Sequence, residues 1–390
     1  MTAALDRFVA ATAMRTAAGL HRELAPRTAP LGPIDLGGPI DLASNDYLGL
    51  TRHPEVLAGA VDALHRWGAG STGSRLVTGT TADHIRLESE LAEFVGAETG
   101  LVFASGYAAN LGAVTALAGP DTLIVSDAGC HASLVDACRL SRSRVVVAPH
   151  ADVDAVRTAL ETRTERYALV LTDSVFSADG DLAPLRALHR VCREHGALLL
   201  VDEAHGIGVR GTGGRGLVHE AGLAGEPDVV VTATLSKSLA AQGGAVLADG
   251  RIRAHLIDCA RTFIFDTGLA PAAVGAARAA LAVLRREPGL AVAVLDRARD
   301  LARITGVGEP ESAVVSVILG DPQVAYDAAR ACRERGLHVG CFRPPSVPAG
   351  TSRLRLTARA NLTAQDLATI DTVLGDVLAG PAREVLVAHA

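Results

Sequence analysis

Between about 100 and 250 the chain alternates short apolar runs with longer amphipathic stretches. The runs Leu101–Ala104, Thr122–Ser126, Val145–Ala148, Ala168–Thr172, Leu198–Asp202, Val229–Ala233 and Gly244–Leu247 predict seven strands, most of them separated by helical patterns such as Leu182–His195. Strands apolar on both faces that alternate with helices make a mostly parallel sheet covered on both sides. Beyond about 285 the pattern changes. Strands near Ala313–Leu319, Leu337–Gly340 and Arg353–Thr357 flank helices near 322–335 and 363–379, which predicts a smaller α+β domain. The first 45 residues start helical and then turn rich in proline and glycine (Pro26, Pro30, Gly32, Pro33, Gly37, Gly38, Pro39). The expected organisation is an N-terminal segment 1–45, a large α/β domain 46–284 and a small C-terminal domain 285–390.

Composition narrows the function. A chain of 390 residues, 49% apolar with 40 glycines, is long enough for a large core and a companion domain. Its net charge of -6 argues against a nucleic-acid footprint and a membrane-directed basic patch. No apolar run reaches the roughly 18 residues of a membrane helix. Charges at Asp6, Arg7 and Arg15 speak against a signal peptide. The cysteines (Cys130, Cys138, Cys192, Cys259, Cys332, Cys341) are scattered with no C-x-x-C pair, as in a reduced, cytoplasmic protein, and no metal site is expected.

One count changes the picture. Of 37 lysines and arginines, only Lys237 is lysine. Arginine-favouring codon usage explains the depletion but not the exception. Arginine replaces lysine on a solvated surface, yet a guanidinium cannot form an imine. Lys237 is therefore a candidate for imine chemistry.

Two familiar motifs fail on context. Leu198–His205 reads L-L-L-V-D-E-A-H, as in helicase-type NTPases, but no phosphate loop with its lysine precedes it. Gly211–Gly216 matches G-x-G-x-x-G, but it begins well after the strand has ended. The same residues suit pyridoxal 5'-phosphate (PLP), whose ring nitrogen needs a buried carboxylate. Asp202 ends an apolar strand, where α/β sheets bind ligands, and His205 follows within reach of the ring's phenolic oxygen. Ser105-Gly106-Tyr107 joins a strand to a helix, a turn that presents backbone N–H groups to phosphate. Thr234 and Ser236 can add hydroxyls, and His131 can stack on the ring. In Arg353–Thr357, alternation places Arg353, Arg355 and Thr357 on one face, either to clamp a carboxylate or as a solvated edge strand.

These residues sit in runs that resemble the α-oxoamine synthases, fold-type I PLP enzymes. The runs are S-N-D-Y-L-G-L (Ser44–Leu50), G-S-T-G-S-R-L-V-T-G (Gly70–Gly79), S-G-Y-A-A-N (Ser105–Asn110), H-A-S-L (His131–Leu134), V-F-S-A-D-G (Val175–Gly180), V-D-E-A-H-G (Val201–Gly206), T-L-S-K (Thr234–Lys237) and R-P-P-S-V-P-A-G-T-S-R-L-R-L-T (Arg343–Thr357). The likeness covers nearly the whole chain. It is greatest to members that join L-alanine to a pimeloyl thioester, carried on CoA or acyl-carrier protein, with loss of CO2.

The resemblance implies that Lys237 holds PLP as a Schiff base, Asp202 pairs with the ring nitrogen, His205 meets the phenolic oxygen and His131 stacks on the ring. It places Ser105, Gly106, Tyr107, Thr234 and Ser236 around the phosphate. Ser177, Asn45, Arg355 and, secondarily, Arg353 would lie by cofactor or substrate, and Arg22 by the acyl chain. Thr267 would reach the phosphate of a partner subunit in a homodimer. Three positions depart from the family pattern: His21-Arg22 replaces an arginine pair, Asp266 a common serine, and Asp173 a common glutamate. The open alternatives are a sibling reaction using glycine or serine, and a PLP-binding scaffold without turnover.

Overall fold

The computed structural model describes residues 3–24, 26–27 and 38–379; Pro30, Gly32, Pro33 and Gly37 of the proline- and glycine-rich stretch lie outside the described residues. In chain order the strands are β1 (Ile40–Leu42), β2 (Thr99–Phe103), β3 (Thr122–Asp127), β4 (Arg144–Ala148), β5 (Tyr167–Asp173), β6 (Leu198–Asp202), β7 (Val229–Thr234), β8 (Gly244–Ala248), β9 (Val314–Gly320), β10 (Leu337–Phe342) and β11 (Ser352–Thr357). They divide between two compact units, one of residues 45–177 and 181–294, the other of residues 1–44, 178–180 and 295–390. The division after Val294 lies beyond the expected boundary at 284, and the N-terminal segment groups with the C-terminal residues.

The larger unit holds a seven-stranded sheet in the order β2-β8-β7-β6-β5-β3-β4. β7, β6, β5, β3 and β4 run parallel, and β8 is antiparallel to both of its neighbours. All seven strands lie where the apolar runs predict them. Ile124, Leu169, Leu171, Leu200, Val230 and Val246 form a core with Ala109, Ala113 and Val114 of the helix Gly106–Leu117. That helix is buried through small residues, so its backbone comes close to the sheet. β3, β5, β6 and β7 end in Asp127, Asp173, Asp202 and Thr234, which puts polar groups along one edge of an apolar sheet.

The smaller unit carries a four-stranded sheet, β1-β10-β11-β9. β1 pairs parallel with β10, and the other pairs are antiparallel. β11 is an inner strand whose six residues are all buried. That overturns the solvated edge-strand alternative: a strand flanked on both sides has no wet edge, and its arginines have protein partners. Among the described residues no helix is long and apolar enough to cross a membrane.

Candidate active site

The polar ends of the parallel strands open into a cavity of about 230 Å³ lined by Lys237, Asp202, His205, His131, Asn110 and Asp173, with Ser105, Gly106, Tyr107, Thr234 and Ser236 at one side. Lys237 sits in the turn after β7. Its Nζ lies 2.6 Å from His205 Nε2, and His205 Nδ1 lies 2.5 Å from Tyr47 Oη. Tyr47 in turn donates to Asn45 Oδ1 at 3.2 Å. An ammonium can only donate, so His205 accepts at Nε2 and carries its proton on Nδ1, facing Tyr47.

Asp202 is buried at the end of β6. Its Oδ1 accepts the N–H of Ala204 at 2.9 Å and its Oδ2 accepts Asn110 Nδ2 at 2.7 Å. The parallel register of β5 and β6 sets Asp173 directly beside it. Burial and the Asp202 charge push the Asp173 carboxyl well above the usual carboxylate range, although the N–H of His131 donates to it at 3.2 Å. Two carboxyls that close do not both ionise readily. His131 opens onto the cavity, yet the protein packed around its ring lowers its pKa; Asp202 opposes this and Lys237 adds to it.

The helix Gly106–Leu117 supplies the anion end of the cavity through its first turn.

 Ser105 caps it, accepting the N–H of Ala108 at 3.0 Å. The N–H groups of Gly106 and Tyr107 have no acceptor within the helix, and they carry its positive dipole end. A Cβ on Gly106 would come within 3.0 Å of the Thr234 side chain, so only glycine lets the turn approach the end of β7 this closely. Thr234 Oγ1 and Ser236 Oγ lie 2.7 Å apart beside it. The Tyr107 hydroxyl points elsewhere and donates to Asp136 at 2.5 Å, which raises its pKa.

An amine, a buried carboxylate and a nest of N–H and hydroxyl donors line one cavity. This donor set fits PLP, with the amine for the aldehyde, Asp202 for the ring nitrogen and the helix start for the phosphate. Asn110 Oδ1 is buried there without a hydrogen-bond partner.

Of the other expected residues of the larger unit, Asn45, Ser177 and Thr267 are not among those lining the cavity. Ser177 is half-buried in the segment after β5, and Thr267 is exposed and bridged to Ser74. Arg22 is exposed. In the smaller unit Arg353 is ion-paired with Asp179, while Arg355 donates to Thr357 Oγ1 at 2.9 Å and lies over the Phe342 ring. Sequence reasoning missed Tyr47, Asn110, Ser133 and the pairing of Asp173 with Asp202. A signal for Asn110 existed: it follows Gly106 by one helical turn, so it shares the face that begins at the phosphate end.

Comparison with known proteins follows the same lines. Residues 38–372 match the aminotransferase class I and II family. The 8-amino-7-oxononanoate synthase of Mycolicibacterium smegmatis is 68% identical, with 94% of each chain covered, and that of Mycobacterium marinum is 66% identical over 94% of this chain and 93% of its own. Among solved structures, Sphingomonas wittichii serine palmitoyltransferase superposes with a TM-score of 0.90 at 32% identity, covering 98% of this chain and 99% of its own. A serine palmitoyltransferase from S. paucimobilis with bound PLP–myriocin aldimine gives 0.89 at 30% identity, covering 96% and 98%. The chain belongs to the aminotransferase class I and II family, with the fold of the fold-type I enzymes and pyridoxal phosphate as its cofactor.

Proposed function

We infer that the protein condenses L-alanine with a pimeloyl thioester, carried on CoA or acyl-carrier protein, to give 8-amino-7-oxononanoate, CO2 and free thiol in biotin biosynthesis. The observation that carries this reading is the 68% identity over 94% of the chain to a synthase of that name. A C–C bond forms between the alanine Cα and the acyl carbonyl carbon as the C–S bond breaks; the carboxylate leaves as CO2 and one proton is taken up from solvent.

PLP, when bound, supplies an aldehyde for the amine and a ring that accepts the electron pair left on Cα. Lys237 Nζ takes the Cα proton and returns one to that carbon after CO2 has left. Asp202 keeps the ring nitrogen protonated, and His205, fixed through Nδ1 against Tyr47, stands on the phenolic oxygen side. His131 covers the ring. Gly106, Tyr107, Ser105, Thr234 and Ser236 hold the phosphate. Asn45, Ser177 and Arg355 orient the amino acid. Arg353, already paired with Asp179, is the weaker candidate for its carboxylate. Arg22 meets the acyl chain. Thr267 serves the site of the second copy in a cytoplasmic homodimer.

Product analysis with a panel of amino acids and acyl thioesters tests this reading. The four extra methylenes of a pimeloyl over an acetyl donor, at ~0.8 kcal/mol each, favour it by roughly 200-fold in kcat/KM. L-Alanine is favoured over glycine more modestly, by ~1–3 kcal/mol for one methyl. Efficient use of acetyl-CoA with glycine, and little of pimeloyl donors, would overturn the substrate assignment in favour of a sibling reaction. Absence of turnover with every pair would favour the scaffold alternative.

A further inference from the structure

We propose that Asn110 and Ser133 are positioning residues that hold His131 as the neutral imidazole with its proton on Nε2, through a hydrogen-bond chain anchored on Asp202. This rests on the reading of His131 and Asp202 as the residues that flank the cofactor ring.

The direction of each bond follows from what each group can do. The Asp202 carboxylate can only accept, so the amide group facing it at 2.7 Å is Asn110 Nδ2. The second N–H of Nδ2 goes to Ser133 Oγ at 2.8 Å. Having accepted there, the Ser133 hydroxyl gives its own proton to His131 Nδ1, 2.7 Å away. The backbone N–H of Ser133 points at the same nitrogen from 3.3 Å. Nδ1 thus faces two donors and has no acceptor for a proton of its own. The proton of the neutral ring belongs on Nε2.

Nothing in the chain can turn round cheaply. Ser133 is fully buried and Asn110 is 2% exposed, so neither has water to make up a lost bond. A proton on Nδ1 would confront the Ser133 N–H and leave the Ser133 hydroxyl without an acceptor. The charged groups around His131 are Asp202 and Lys237, with Asp173 at its backbone N–H. A neutral His131 lies against a protonated ring without like-charge repulsion, and its remaining N–H is the only donor it offers to the substrate side.

Nitrogen-15 NMR of histidine-labelled holoenzyme reads this directly, with the His131 signal assigned through its loss in His131→Gln. The expected wild-type spectrum at neutral pH has a protonated Nε2 and an acceptor-type Nδ1. Ser133→Ala removes one of the two donors, so the titration of His131 rises by about one unit, the worth of one hydrogen bond. The acid limb of kcat/KM rises by the same amount at unchanged cofactor content. A protonated Nδ1 in the wild type would overturn the proposal whether or not any variant folds. So would a Ser133→Ala enzyme whose tautomer and acid limb stay in place. Failure of the underlying reading has a different sign: His131→Gln would then keep both the turnover and the visible spectrum of the wild type.

Discussion

Two clusters of acids and histidines occupy opposite ends of the same parallel strands. At the N-terminal end of β7, Asp228 accepts from His189 at 3.0 Å and lies 3.6 Å from Arg193, which also pairs with Glu226 at 3.1 Å. At the C-terminal end of β6, Asp202 instead stands beside a second carboxyl, Asp173, and takes its hydrogen bonds from the neutral amide of Asn110 and a backbone N–H. His189, Glu226 and Asp228 come close enough together to resemble metal ligands, yet Arg193 already balances them. The difference lies in how charge is compensated. The first cluster is complete within the protein, whereas the second crowds carboxyls that a cationic ring relieves.

Substitutions at the two ends test that contrast. The largest effect is expected from Lys237→Ala, which removes the only side-chain amine. Turnover should fall by roughly 10⁴-fold or more while some PLP stays bound through the phosphate contacts. Borohydride treatment of the wild type followed by mass spectrometry should find the cofactor fixed on the peptide containing Lys237, and its absence there would remove the basis of the cofactor assignment. Next comes Asp202→Asn, expected to keep fold and cofactor but to cut kcat by roughly 10²–10³-fold, because an uncharged partner no longer holds the ring nitrogen protonated. Near-normal kcat with bound PLP would reassign Asp202. The smallest effect is expected from Asp228→Asn at the other end. Its kcat should match the wild type, and thermal melts should register about 1 kcal/mol or less, the usual worth of a partly exposed ion pair. A large loss of activity there would erase the distinction between the clusters.

Much of this was legible in the sequence because of the kind of signal involved. The strands of the large sheet are covered on both faces, so each shows as a run of Val, Leu and Ile, and Asp202 stands out as the charge that ends such a run. β1 gives no such signal, being only Ile40–Leu42 beside a glycine- and proline-rich stretch. Lys237, His205 and the Ser105–Tyr107 turn were readable because their chemistry is local: one amine, one motif, one strand–turn–helix. Tyr47 was not, because what defines it is a partner far away in the chain, His205, and for Asn110 the helical spacing marks the face but not its distant partner Asp202. Strand register, which brings Asp173 against Asp202, likewise exists only in the folded sheet. The Arg353–Thr357 strand remained ambiguous for the same reason, since alternation says which residues share a face but not whether that strand has a neighbour on each side.

The solitary lysine has a practical consequence for handling the molecule. Lys237 is half-buried in its cavity, and the other cationic side chains apart from histidine are arginines. Acylating reagents that seek primary amines therefore find one internal target per chain, apart from the α-amino terminus. Label incorporation becomes a count of vacant cavities, protected in proportion to bound aldehyde, while the arginine-covered exterior stays silent.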